Sequence, residues 1–546
     1  MADRLRASNT DPDSSAADIV LRATDLTANL RSHQQAAVWN TTVERLNLNT
    51  AGGGALQLNN TGALSVEAWT SDGAVAASTT GTLQLGTLAG TGAMAFTSGD
   101  DLVLLNSVYD IGGRLSLSAV DELRLASAGL RADTMTLTAA RLTAAGGAPL
   151  ILEGNSADLT VTASQALALT TRLGQLGVTY NGSAISINND RDLVLDRFNT
   201  PNAATVGLSV SGTLTLPTTG LRAGQRLTLD AVDLRDDDRT MSFSAAELAV
   251  RLSGASGDHI WNVEADSLDA LLRGQANLRV NANDGLVLED LNNDSQAVLL
   301  ENGNFTLKLA SGDLTLAGAI SAADLTADGV RSGMIDLEVA QGSVVTRGAA
   351  SLTSTNLVDQ SAGGDAISIR LTDISASDRD ITLGDNSNSA ITLRAIGGDI
   401  LLNSRLADTA AGARRQVVQH PGATIEAYDS LSDSLSGRVL LNGNQVEAQP
   451  WQLVRAGRTL AIVTDMTPQA PGSVLDELDD LDGATDVIRN PPKSGPNAAD
   501  QFEQVFGICD ELDRKNRHRC RVDDALKAFL SHWLVGGEMP PKSEMR

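Results

Sequence analysis

The chain has 546 residues, 50 of them glycine and only 3% aromatic, with a formal charge of −26. That charge excludes a nucleic-acid partner, because phosphate binding needs clustered Lys and Arg, and it has the wrong sign for docking on anionic lipid. So few aromatic residues argue against a thick globular core and for a narrow one lined by Leu, Val, Ile and Ala, and the lack of any run of 18 apolar residues predicts no transmembrane helix.

Residues 1–16 carry no apolar stretch of the signal-peptide kind and are expected to be disordered. Read literally, that places the chain in the cytoplasm. The strand pattern begins at once near Ile19-Val-Leu-Arg-Ala23, however, as though a repeat were entered part-way, which fits the C-terminal portion of a longer secreted protein.

From 17 to 465 one unit recurs: Gly or Asp, then Leu-Thr-Leu, then a corner of Gly, Ala, Asn or Asp. Gly303 to Ala317 shows it most clearly. Phe305 to Leu309 and Leu314 to Leu316 alternate apolar and polar residues, and Ala310-Ser-Gly-Asp313 forms the turn between them. Side chains of an extended strand point alternately to opposite faces, so the leucines share one buried face. Gly and Asp supply the positive φ and local hydrogen bonds of a tight corner. Related units include Gly81-Thr-Leu-Gln-Leu85, Gly212-Thr-Leu-Thr-Leu216 and Asp380-Ile-Thr-Leu383. One pair of strands cannot bury its apolar face alone, whereas stacked copies can. Hairpin dipeptides are sparse (Asn181-Gly182, Asn302-Gly303, Asn442-Gly443), which disfavours an antiparallel sandwich or barrel. The predicted fold is all-β: a right-handed parallel β-helix with roughly 20 residues per coil, forming a rod.

Within the rod, Trp39, Trp69, Trp261 and Trp451 are placed either to stack on sugars or to plug the core and cap an end. Asn188-Asn-Asp-Arg-Asp192 and Arg235-Asp-Asp-Asp-Arg239 read as corner loops rather than paired catalytic acids. The five histidines are scattered, and no hydrolase, metalloprotease or P-loop motif occurs. The glycine-rich calcium nonapeptide of β-rolls is absent too, so no catalytic residue, metal or cofactor is expected. Thr143 to Gly146 and Thr409-Ala410-Ala411-Gly412 both spell a tetrapeptide that resembles the cleavage site of periplasmic proteases that release biofilm adhesins. The second copy, followed by Ala413-Arg-Arg-Gln416, is the candidate release site.

Residues 466–499 are acidic and Pro/Gly-rich and read as a linker. Residues 500–546 change character. Phe502, Val505, Phe506 and Cys509 share one helical face, and Leu526, Phe529, Leu530 and Trp533 share another. Cys509 and Cys520, the only cysteines, close a polar loop between these helices if oxidised; as free thiols they would suit a reducing compartment. A disulfide there is either a stabilising link of ~2–4 kcal/mol or a knot too bulky for a narrow pore.

The Leu-Thr-Leu repeats resemble the filamentous haemagglutinin family of large exoproteins, which leave the cell by two-partner secretion through an outer-membrane barrel. Some adhesins of that family end in a cysteine pair that hooks them in the partner's pore, and Cys509 and Cys520 match it in position and spacing. The family's N-terminal secretion domain and signal peptide have no counterpart here, and the tail beyond Cys520 is longer than a minimal hook needs. The resemblance implies a surface-tethered adhesin or biofilm-matrix protein outside the cell. Its partners would be an outer-membrane transporter and glycans, a host or a neighbouring cell surface. The alternatives are a polysaccharide-active β-helix enzyme, with carboxylates converging on consecutive coils, and a purely structural spacer.

Overall fold

The computed structural model describes residues 19–463, apart from 32–35, 106–107, 126–128, 145–146, 148, 164, 236–239, 325–332, 357–364, 373–377, 385–389, 405–414, 429–436, 448–453 and 457–458. The chain divides into two compact units, Met1–Ala246 and Glu247–Arg546. Each is a parallel β-solenoid, and no α-helix occurs among the described residues. The predicted N-terminal disordered segment 1–16, the linker 466–499 and the helical module 500–546 lie outside the described residues.

In the first unit each strand lies parallel on its counterpart one coil later. The repeat runs from 18 residues, as in Ala166 on Ala184, to 22, as in Thr134 on Ser156. Alternation within each strand then stacks like on like. Trp39, Leu58, Ala77, Phe96, Leu117, Leu137, Leu159, Val178 and Phe198 form one inward column over nine coils. Leu64, Leu83, Leu102, Leu123 and Leu142 form a second. All are buried. Each Leu, Val or Phe among them withdrawn from water contributes roughly 1.5–3 kcal/mol, and the stacked backbones pair their N–H and C=O groups along the ladder.

The second unit is built alike. Leu278, Phe305, Ile335, Ile367, Ile400 and Val439 stack in one column, and Val298, Ile320, Leu352, Leu393 and Ile425 in another. Phe305–Leu309 and Leu314–Leu316 are strands with the predicted turn between them. Gly312 has φ +76° there, and a Cβ on it would come within 2.4 Å of the Gly285 nitrogen. Coil length is less regular than the sequence predicts. It ranges from 19 residues, Ala255 on Gly274, to 41, Leu352 on Leu393. The added residues lie between strands, so the register of the core columns survives them. The three Asn-Gly pairs also join successive strands at corners and make no hairpin, since every strand pairing across them is parallel.

Corners are fixed by buried polar side chains. Asn189 is fully buried. Its Oδ1 accepts from the Thr171 hydroxyl (2.8 Å) and Leu173 N–H (2.9 Å), and its Nδ2 donates to the carbonyls of Leu173 (3.2 Å) and Arg191 (2.7 Å). Asn60 repeats the device on Thr41 and Val43, both at 2.8 Å. Asn188-Asn-Asp-Arg-Asp192 is therefore a corner. Of Arg235-Asp-Asp-Asp-Arg239, positions 236–239 lie outside the described residues.

Candidate binding face

The predicted site residues come first. Cys509 and Cys520, and Thr409, Ala410, Ala411 and Gly412, lie outside the described residues, as does Trp451. Trp39, Trp69 and Trp261 are at most 1% exposed. They belong to the core and offer no face to a sugar. Trp69 meets Phe96 edge-on across the interior, with ring centroids 5.7 Å apart.

What the first unit does offer outward is a column one residue beyond its Trp39–Phe198 core column. Asn40, Asn59, Ser78, Thr97, Ser118, Thr138, Thr160, Thr179 and Asn199 stack on one another over nine coils. All nine are amides or hydroxyls, and none is charged. Each is half-buried or exposed. Asn59 Nδ2 donates to Asn40 Oδ1 (3.0 Å), and the Ser78 hydroxyl donates to Asn59 Oδ1 (3.1 Å), so the first three rungs form a bonded chain. The column beside it begins Gln57, Ala76, Ala95, Ser116, Thr136. Small side chains keep the relief low over these coils; the same column continues through Asp158 and Gly177 to Arg197, which pairs with Asp158 and whose Nε donates to the Thr179 hydroxyl (3.2 Å). The rungs are about 4.8 Å apart, the spacing of stacked strands. Such a row presents donors and acceptors in series and can exchange hydrogen bonds with another hydroxyl-bearing polymer.

Charges sit in other columns and are paired from coil to coil. Arg131 stands between Asp110 (3.7 Å) and Glu153 (3.1 Å), and Lys308 meets Glu338 (3.1 Å). This alternation sets opposite charges beside each other in these columns, whereas in the second unit Asp365 lies in register with Asp399 and Arg379 with Arg415.

In the second unit carboxylates do gather on neighbouring coils. Asp399 is held by the Arg438 guanidinium (2.6 and 2.7 Å), and Asp336 takes both its oxygens to Arg370 (2.9 and 2.8 Å). Burial, and then the charge of Asp399, raise Asp365 above the usual carboxylate range. Burial also pushes Asp269 up to about 6. Asp269 sits in Ser267-Leu-Asp-Ala-Leu-Leu272, every residue of which is buried. It lies beneath the loop of Asp290 and Asp294, and Asp294 pairs with Arg251. Sequence reading missed these groups. The spacing of Asp290, Asn292 and Asp294 was the available signal.

No family model, curated protein or solved structure matches this chain.

Proposed function

We propose that the chain is the solenoid portion of a secreted adhesin of the filamentous haemagglutinin kind, which engages neutral glycans through the column from Asn40 to Asn199. Export runs through an outer-membrane two-partner transporter. Oxidised Cys509 and Cys520 retain the protein at the cell surface, and cleavage within Thr409 to Gly412 releases it. The observation that carries the binding part is the nine-coil column without a charge. The stacked-coil fold, with its narrow aliphatic core and polar exterior, supports the same reading, because such solenoids present extended surfaces.

The test is retention of the purified protein on immobilised neutral polysaccharides, compared with a Thr97→Lys, Thr138→Lys, Thr160→Lys triple variant. All three positions point outward, so the fold should persist. Loss of three hydrogen-bonding rungs, at about 0.5–1.5 kcal/mol each, should weaken binding at least tenfold. Equal retention of the two proteins, or no retention of either, would discard the binding face. The anchor is tested apart from it: Cys509→Ser should move the protein from cells into the medium.

A further inference from the structure

In the second unit the chain runs from the strand Leu286–Leu288 to Val298–Asn302 through Asp290-Leu-Asn-Asn-Asp-Ser295. The Asp290 carboxylate accepts from the backbone N–H groups of Asn292 (3.1 Å), Asp294 (3.1 Å) and Ser295 (2.7 Å). Asp294 Oδ1 accepts from the Gln296 N–H (3.0 Å). Asn293 and Ser295 have φ of +59° and +70°. Asp, Asn and Asp at the first, third and fifth positions, with a left-handed sixth residue, is how short loops turn oxygens toward Ca²⁺. Ser295 stands where such loops carry glycine, yet holds glycine's conformation. By itself this describes a tight turn.

The second observation comes from the preceding coil. Asp269 is 0% exposed. Its Oδ2 accepts from Leu291 N–H (3.0 Å) and Asn292 Nδ2 (2.9 Å), so the carboxylate is aimed into the loop from below. Its Oδ1 is buried and has no hydrogen-bond partner, and neither has the buried Oε1 of Gln296. A buried carboxylate oxygen without a donor is costly, and a hard cation is the ligand that satisfies oxygens alone. The neighbouring positive charge is Arg251, which binds Asp294.

We propose that the 290–295 loop, with Asp269 beneath it, is a Ca²⁺ site, and that the ion takes Asp294 over from Arg251. Among the described residues no three acids, histidines or cysteines already converge as a ligand set. Drawing Asp294 inward is therefore part of binding, and the amide oxygen of Asn292 and backbone carbonyls make up the remaining ligands. Glu301, in the twelfth position, accepts from Gly274 N–H (3.1 Å) and is not offered to the ion.

Calorimetric titration of the chelator-treated full chain with CaCl₂, in 150 mM NaCl with excess Mg²⁺, tests this. One saturable Ca²⁺ per chain is expected. Asp294→Asn should weaken it at least tenfold, and Arg251→Ala, at a partly exposed position, should tighten it several-fold by removing the competing cation. Absence of saturable Ca²⁺ binding overturns the site, and so does binding that ignores both substitutions, which would assign the ion to the acidic surface at large.

Discussion

Asn189→Ala is the sharpest test of how the coils are held. The side chain makes four hydrogen bonds, with the Thr171 hydroxyl, Leu173 N–H, Leu173 C=O and Arg191 C=O. At about 0.5–1.5 kcal/mol net for each, their loss amounts to roughly 2–6 kcal/mol. The Thr171 hydroxyl can rotate to another acceptor, whereas the buried Leu173 N–H and C=O cannot move without the strand. About 3–4 kcal/mol is therefore expected. Asn188, the exposed neighbour on the same strand, is the control: Asn188→Ala should stay within about 0.5 kcal/mol of wild type. In a solenoid each coil contacts only its neighbours, so the loss should be local. Native-state hydrogen exchange reads it directly, as faster exchange at Leu173 and the amides of the strand Ala184–Asn189 while distant coils keep their protection. Asn189→Asp should be no milder, since it sets a carboxylate oxygen against two carbonyls. If exchange at Leu173 is the same in Asn189→Ala and Asn188→Ala, the corner amide is not what closes the coil.

Three further outcomes are expected. Gly312→Ala should cost about 3 kcal/mol or more by thermal or denaturant unfolding, because a Cβ would meet both the nitrogen (2.4 Å) and Cα (2.7 Å) of Gly285. Gly53→Ala, with φ +78° but nothing within 4 Å, should cost only the left-handed strain of about 1–2 kcal/mol; equal losses would refute the steric account. Arg131→Glu places a third acid between Asp110 and Glu153, and should lower stability by up to about 1 kcal/mol in low salt. In 1 M NaCl, where the screening length is about 3 Å, the difference should nearly vanish. Arg438→Met leaves Asp399, whose side chain is 4% exposed, buried without its guanidinium. The expected loss is about 3–5 kcal/mol, with Asp399→Asn in the same background restoring part of it; no rescue would show that packing, not charge, is at stake.

Much of the architecture could be read from local alternation. Phe305 to Leu309 and Leu314 to Leu316 announce two strands and a corner, because leucine at every second position has one sensible burial. Parallel stacking followed from the shortage of hairpin turns. What could not be read depends on register. Asn60 and Asn189 look like ordinary turn residues, and their burial is decided by Thr41 and Thr171, 19 and 18 residues upstream. Coil length in the second unit was hidden too, since residues added at a corner have the same Gly, Ser, Asp composition as the corner itself. The tryptophans were ambiguous because indole suits a core and a sugar face equally, and only the stacking of Trp39 on Leu58 and the contact of Trp69 with Phe96 decide it. Ladders of Thr, Ser and Asn were foreseeable as a class, but which of them form one unbroken column was not. Asp269 was masked by the apolar run around it, which reads as a fully buried strand.

The case for the column from Asn40 to Asn199 as a binding face rests on what occupies the other outward columns. Asp110, Arg131, Glu153 and Arg172 follow one another in register in the first unit, and Lys308, Glu338 and Arg370 do so in the second. Charged residues therefore serve well wherever the surface must only be wet, and the chain is not short of them. A charged rung keeps its water tightly and is costly to cover, whereas a hydroxyl or amide exchanges water for another hydroxyl at little net cost. Single contacts of this kind are weak, so a face made of them works only against a ligand that repeats along it. Binding should then grow steeply with the length of the glycan, as successive rungs engage a chain already tethered, and should change little between 50 and 500 mM NaCl. Strong salt dependence, or full affinity for a disaccharide, would instead place the contact in the charged columns or in a discrete pocket.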